Sequence, residues 1–275
     1  MGYKWDLERR AYLISEYYKK ASLRDIAIDF RQKFCEPISP PTALRRATKD
    51  AAWVWLTTRH ILLYHKNLKI GNKWEADGTY LEGVKDLCLI RVKDLTTNMT
   101  LGCFISDSED TFSVKEALKE AKLIAKKCPS DFRCDGHRAY KKAAKTVFKT
   151  ATTIHVLPRI DGKSQLQSSE ADFGNFKAWL GSKRGSHSTE TAAPLTFGYW
   201  VYHDFVAANT LSGVPPAETA GVFKNKSLQD MWKTLLSLSD AFKRCVVVKH
   251  ANKTVLGLTE NQVAKFLRMI GKSIF

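Results

Sequence analysis

The apolar period of this chain changes at residue 72, and that switch limits its fold more than any other feature. Up to there the apolar positions recur at helical spacing. Leu7, Ala11, Ile14 and Tyr18 share one face, and Leu23, Ile26, Ala27 and Phe30 form a second stripe behind Ser22. A third helix opens at Ser39-Pro40-Pro41-Thr42, a cap followed by proline, as helix starts favour. Residues 57–71 read as a connector closing in a Gly-Asn turn. Then "KWEADGTYLEG", "KDLCLIRVKDL" and "MTLGCFISDS" alternate with period two, which predicts an antiparallel meander whose last two strands are joined by "TTN". A helix with Val114, Ala117, Leu118, Ala121 and Ala125 inward follows. After it come a strand ending at Asp135, a helix over "HRAYKKAAKTVFK", the strand "TIHVLP" and a helix holding Glu170.

Charge narrows the class of partner. Lys and Arg number 44 against 28 Asp and Glu, a net +16, and an excess of that size predicts a polyanion, most often nucleic acid. No run of 18 apolar residues suggests a membrane span, and the first 20 residues lack the layout of a secretory signal. Cys35, Cys88, Cys103, Cys128, Cys134 and Cys245 form no Cys-x-x-Cys pair and have no His at zinc spacing. They read as reduced thiols of a cytosolic protein.

The order of three antiparallel strands, helix, strand, helix, strand, helix is that of the ribonuclease H-like fold. The class expected is therefore α/β: a mixed five-stranded sheet with flanking helices, preceded by an all-α segment. In that order the first and fourth strands are neighbours, which brings Asp77 beside Asp135, with Glu170 supplied by the late helix. Asp77-Gly78 keeps a second reading, because Asp-Gly between apolar runs is a hairpin signal, and the pair recurs at Asp135 and Asp161. Three carboxylates suit phosphodiester chemistry. Two Mg²⁺ ions (or Mn²⁺) roughly 3.5–4 Å apart can activate the attacking oxygen and stabilise the leaving one, and such ions take oxygen ligands.

The flanks of these acids carry a resemblance. "WEADGTY", "CPSDFRCDGHRAY", the 34 residues between Asp135 and Glu170, "KRG" at 183–185 and "VYHDFVAANTLSGVPPAETAG" at 201–221 stand in order along the chain. Together they resemble the DDE transposases with an integrase-type catalytic core, especially the insertion-sequence-six family and its archaeal relatives. In front, "SLRDIA" and "ISPPTALRR" resemble that family's helix-turn-helix. The resemblance implies Asp77, Asp135 and Glu170 as catalytic and metal-binding residues, with Asp172 and Glu190 as rivals for the third place. It implies cleavage of DNA at a mobile element's terminal repeats and strand transfer to a target. The departures are Gly78 where the family has a second acid, "QLQSSE" where it has two asparagines before the Glu, a thinned basic helix after Glu170, and "AAN" at 207–209 for Arg-Pro-His. They leave open an alternative, a domesticated or inactive transposase acting as a DNA-binding protein. A structure-selective nuclease is a third reading, which the helix-turn-helix and the tail disfavour.

The expected division is a helix-turn-helix domain over 1–60, a linker over 61–71, a catalytic core over 72–221 and an extension over 222–275. In the first, Thr42, Arg45, Arg46 and Lys49 lie at the start of the helix that would enter the major groove. In the core, Arg138, Lys141, Lys142, Lys145 and Lys149 recur every three or four residues, and all but the last are assigned to the DNA backbone. Lys177, seven residues after Glu170, shares its helical face and completes the set. His60, His137, His155, His187 and His203 show no ligand spacing and read as structural. The extension reads helix, strand, helix, with a capping box at Thr259 and Gln262 ahead of Val263, Phe266, Leu267 and Ile270. The expected partners are double-stranded DNA, as terminal repeats and target, and a second copy of the chain or more, with no membrane. The expected location is the cytoplasm, at the nucleoid, or the nucleus in a eukaryotic host.

Overall fold

The computed structural model describes residues 5–19, 21–81, 83–84, 87–157, 166–183, 189–210, 212–223 and 227–249. Three helices come first: α1 (Leu7–Tyr18), α2 (Leu23–Phe34) and α3 (Pro40–Tyr64). Side chains cap each of them. Asp6, Ser22 and Ser39 accept from the backbone N–H groups of Arg9, Asp25 and Thr42. The helix α3 continues eight residues into the expected connector, so the boundary expected between 60 and 61 falls inside it. Its extra turns are held by burial: Thr57, Thr58, Arg59 and Leu62 are buried, and the Arg59 Nε–H donates to Glu120 Oε1 at 2.9 Å.

The sheet follows as β1 (Lys73–Tyr80), β2 (Cys88–Asp94), β3 (Thr100–Ser106), β4 (Asp131–Asp135) and β5 (Thr153–Leu157), in the spatial order β3-β2-β1-β4-β5. β1, β2 and β3 pair antiparallel, whereas β4 pairs parallel with β1 and with β5. This is the ribonuclease H-like arrangement that the element order called for. The chain crosses between its parallel strands through α4 (Thr111–Ala125) and α5 (Arg138–Phe148), which cover one face of the sheet. Phe148 of α5 meets Trp74 and Phe132 edge-on, at ring separations of 5.8 and 5.4 Å. Gly102 of β3 lies so close to α4 that a Cβ there would overlap the Ala117 carbonyl. The opposite face receives α6 (Gln167–Ser182).

The remaining elements are α7 (Thr189–Val201), a π-helical turn at Tyr202–Val206, α8 (Pro216–Thr219) and α9 (Leu228–Lys249). In the extension, α9 runs without a break through the β-branched run Val246–Val248, and the residues after 249 lie outside the described ones. The buried positions Met231, Trp232, Leu235, Leu236 and Ser239 set a helical period in which the helix continues, and that outweighs a local run of β-branched residues. One apolar core runs from α1 through the sheet to α9. No described helix is long and apolar enough to cross a membrane. Asp161, His187, and the capping box at Thr259 and Gln262 with its stripe lie outside the described residues.

Candidate active site

Asp77-Gly78 is not a turn. Both residues are internal to β1, which continues to Tyr80, and the chain reverses only beyond, where Gly83 has φ +82°. Side chains on a strand alternate, so Glu75, Asp77 and Thr79 face one way and Trp74, Ala76 and Gly78 the other. The ladder to β4 pairs Ala76 with Cys134, and the next residues on these parallel strands are Asp77 and Asp135. Each acid has a backbone donor. Asp77 Oδ1 accepts from the Gly78 N–H at 2.9 Å, and Asp135 Oδ1 accepts from the His137 N–H at the start of α5, also at 2.9 Å.

Both acids are buried. Burial pushes Asp77 up to about 7, and the charges of Asp135, Glu109 and Glu75 push the same way. The Gly78 N–H opposes them. Arg91 stands opposite Asp77 in the β1–β2 register but turns away to Asp172, and among the described residues no Lys or Arg forms an ion pair with Asp77. The acids thus form a concentration of negative charge at one end of the sheet.

Glu170 is placed differently. It lies in the first turn of α6 and is exposed, whereas the residues beside it are tied to the sheet. The Ser169 N–H and Oγ–H both donate to Glu75 Oε1, at 2.9 and 2.6 Å. Lys93 Nζ donates to Ser168 Oγ at 2.5 Å and to Asp172 Oδ2 at 2.7 Å, and Arg91 donates to that same oxygen at 2.6 Å. Asp172 is therefore a buried ion-pair partner, held well below the usual carboxylate range by Arg91, His203 and Lys93 against the effect of burial. The side chain of Glu190 lies outside the described residues. Asp77 and Asp135 follow the paired residues Ala76 and Cys134 on neighbouring strands, while Glu170 is carried by α6. Among the described residues no three His, Cys, Asp or Glu are gathered closely enough to hold a metal ion.

Three groups near these acids have no motif to mark them. Glu109, in the loop before α4, accepts from the Tyr140 hydroxyl at 2.6 Å, and both occupy the space that a side chain at Gly78 would fill. Glu75 anchors α6. His203, which showed no partner in the sequence, faces Asp204 at 2.8 Å and Asp172 at 3.7 Å. The alternation of β1 was the available signal for Glu75, since it shares the parity of Asp77. Glu109 and His203 come near only through folding.

The basic residues expected to meet DNA lie on two surfaces. Arg138, Lys141, Lys142 and Lys145 are exposed along α5, directly after Asp135, and Tyr140, Ala144, Val147 and Phe148 are buried on its other side. Lys177 is exposed on α6. On α3, Arg45 and Lys49 are exposed. Arg46 lies over the Trp5 ring at 5.3 Å, and Thr42 bonds to the Ser39 cap.

Residues 71–207 match the family model for the DDE domain of IS240-type transposases. No curated protein matches the chain. Among solved structures it is similar to the catalytic core domain of BIV integrase, at 15% identity and a TM-score of 0.39 over 55% of this chain and 93% of that one. It is similar too to a simian T-cell lymphotropic virus intasome chain, at 14% identity and 0.41, over 57% and 58%. A third is the HTLV-2 integrase catalytic core in complex with magnesium, at 12% and 0.40, over 55% and 98%.

Proposed function

We propose that this chain, whose residues 71–207 match a DDE domain, is a DDE transposase, and that Asp77, Asp135 and Glu170 are the acids with which it cuts DNA at the ends of a mobile element and joins them to a target. The observation that carries the assignment is the pair Asp77 and Asp135, each the residue after the last registered pair, Ala76 and Cys134, of the parallel strands β1 and β4. Their donor chemistry suits a divalent cation. Carboxylate oxygens are the ligands Mg²⁺ and Mn²⁺ take, and a buried carboxylate raised to about 7 by burial and other acids lacks positive charge nearby. Asp77 and Asp135 would hold two ions, with Glu170 as the third carboxylate. When bound, such ions activate a water or a 3′-hydroxyl and stabilise the departing oxygen.

The rest of the work falls to the chain itself. Glu75, Lys93 and Arg91 fix the first turn of α6 and so orient Glu170. Arg138, Lys141, Lys142, Lys145 and Lys177, all exposed, would hold the phosphates of the strand being cut. Thr42, Arg45, Arg46 and Lys49, near the start of α3, would recognise the terminal repeats as the second helix of a helix-turn-helix within residues 1–60. Residues 61–71, the first four of which close α3, would then lead to a core over 72–221, with 222–275 as an extension. The complex on DNA would hold two copies or more, at the nucleoid in the cytoplasm or in the nucleus of a eukaryotic host.

The test is a labelled terminal-repeat duplex with Mg²⁺ or Mn²⁺, scored for 3′-end nicking and joining. Glu170→Gln keeps size and hydrogen bonding, so DNA binding should persist while both reactions fall by several orders of magnitude. Asp77→Asn and Asp135→Asn should do the same, and pairing two changes should add little because the acids act as one unit. A wild-type protein inert with both metals, bound to DNA as tightly as Glu170→Gln, would replace the enzyme with a DNA-binding relative. A Gln variant that cuts at the wild-type rate would remove Glu170 from the site.

A further inference from the structure

A further basic surface lies along α4. Lys115, Lys119 and Lys122, spaced by four and three residues, form one row on that helix, and Lys126 caps its C-terminus. With Lys127, Leu123, Thr146 and Val147 they line an open groove between α4 and α5. Three of the ammonium groups are fixed by carbonyl oxygens. Lys122 donates to Val147 O at 3.1 Å, Lys126 to His65 O at 2.9 Å and Lys127 to Ile70 O at 2.6 Å. Neutral carbonyls hold the groups in place and leave their charge uncancelled. Among the described residues the only carboxylate paired with any of the five is Glu116, on Lys119.

From this arrangement we infer that the groove binds the sugar-phosphate backbone of a second stretch of duplex DNA, distinct from the one at the acids. The dimensions fit. At 1.5 Å per helical residue the stretch from Lys115 to Lys126 is about 16 Å long, which matches about five phosphates of one strand at 3.4 Å each. The position fits as well. α4 begins beside the loop of Glu109, and the row leads away from it, on the face of the sheet opposite α6. Duplex seated there would leave the α6 face free. A second copy of the chain is a poor occupant, because a two-fold contact through this face would set the lysines against themselves. The inference takes from the proposed function only that DNA is the polyanion.

The experiment uses the full chain and a random-sequence duplex in fluorescence anisotropy between about 50 and 200 mM salt. Lys115→Gln, Lys119→Gln, Lys122→Gln and Lys126→Gln are combined in one variant, with its fold checked by circular dichroism. The slope of log affinity against log salt should shrink by about 0.9 for each lysine that touches phosphate. Lysine acetylation mapped by mass spectrometry on the unaltered protein provides a readout independent of the variant's folding. Lys115, Lys119, Lys122 and Lys126 should be protected when duplex is added. An unchanged slope, or no protection, overturns the groove while leaving the catalytic assignment intact. Protection by an acidic peptide of equal charge, with none by the duplex, overturns it in favour of a protein partner. A wild-type protein with no salt-dependent DNA binding at all would instead remove the DNA reading of the whole chain.

Discussion

Asp77 concentrates the chemistry of this fold in one side chain. Its carboxyl rises from 3.8 to about 7 on folding, so between those values the native state binds a proton that the unfolded chain has lost. The contribution of this group to stability is therefore full below about pH 4 and is lost as pH climbs through 7. In EDTA the wild-type melting temperature should fall between pH 5 and 8 by more than that of Asp77→Asn. The difference corresponds to a few kcal/mol at most, because a tenfold change in proton affinity is worth about 1.4 kcal/mol. Added Mg²⁺ should narrow it, because a cation favours the ionised acid. Parallel pH profiles of the two proteins in EDTA would show that burial and the neighbouring acids do not raise Asp77. Gly78 matters here for what it omits, since any side chain would displace Glu109 and Tyr140.

Among the elements, α6 depends most on its neighbours. Its N-cap, Leu166, provides no side-chain hydrogen bond, so the first turn is held by Glu75 and Lys93 of the sheet instead. Ser169→Ala removes one of two donors to a buried carboxylate, a loss worth about 1.5–3 kcal/mol. Melting should register that loss, and nicking by the folded variant should slow while duplex affinity stays constant. Equal nicking rates for folded wild type and variant would mean that the tie to Glu75 does not orient Glu170. The sequence made α6 legible as a helix through its apolar positions, but not its docking. Docking needs Glu75 and Ser169, 94 residues apart, to meet in a dry interface.

For the whole molecule, the N-terminal helices are part of one core with the sheet. Arg59 is buried against Glu120, with further bonds to the carbonyls of Thr100 and Leu101, and Arg10 joins Asp50 to Asp240. Removing one member of a buried pair such as Arg59 and Glu120 typically costs about 3–5 kcal/mol. Deleting residues 1–56 would strip the core as well as any DNA contact, so point changes are the cleaner probe of terminal-repeat recognition. Arg45→Ala with Lys49→Ala alters exposed positions and should shift stability by no more than about 0.5 kcal/mol each. Preference for element ends over random duplex should drop in the same variant. Undiminished preference would take recognition away from α3.

The sequence by itself determined the element order, the mixed sheet and the place of Asp77 and Asp135, because period and turn residues are local and the strand order follows from them. The residues flanking the acids carried the resemblance too, and residues 71–207 match the model for a DDE domain. Only the tertiary structure decided that Asp77-Gly78 lies within a strand and that α3 and α9 run past their local signals. It alone gave Asp172 to Arg91 and Lys93, and brought Glu109 into the space left by Gly78. Those outcomes depend on burial and on charges far apart along the chain. A buried carboxylate must find a partner, and which one it finds is set by packing rather than by its neighbours in sequence.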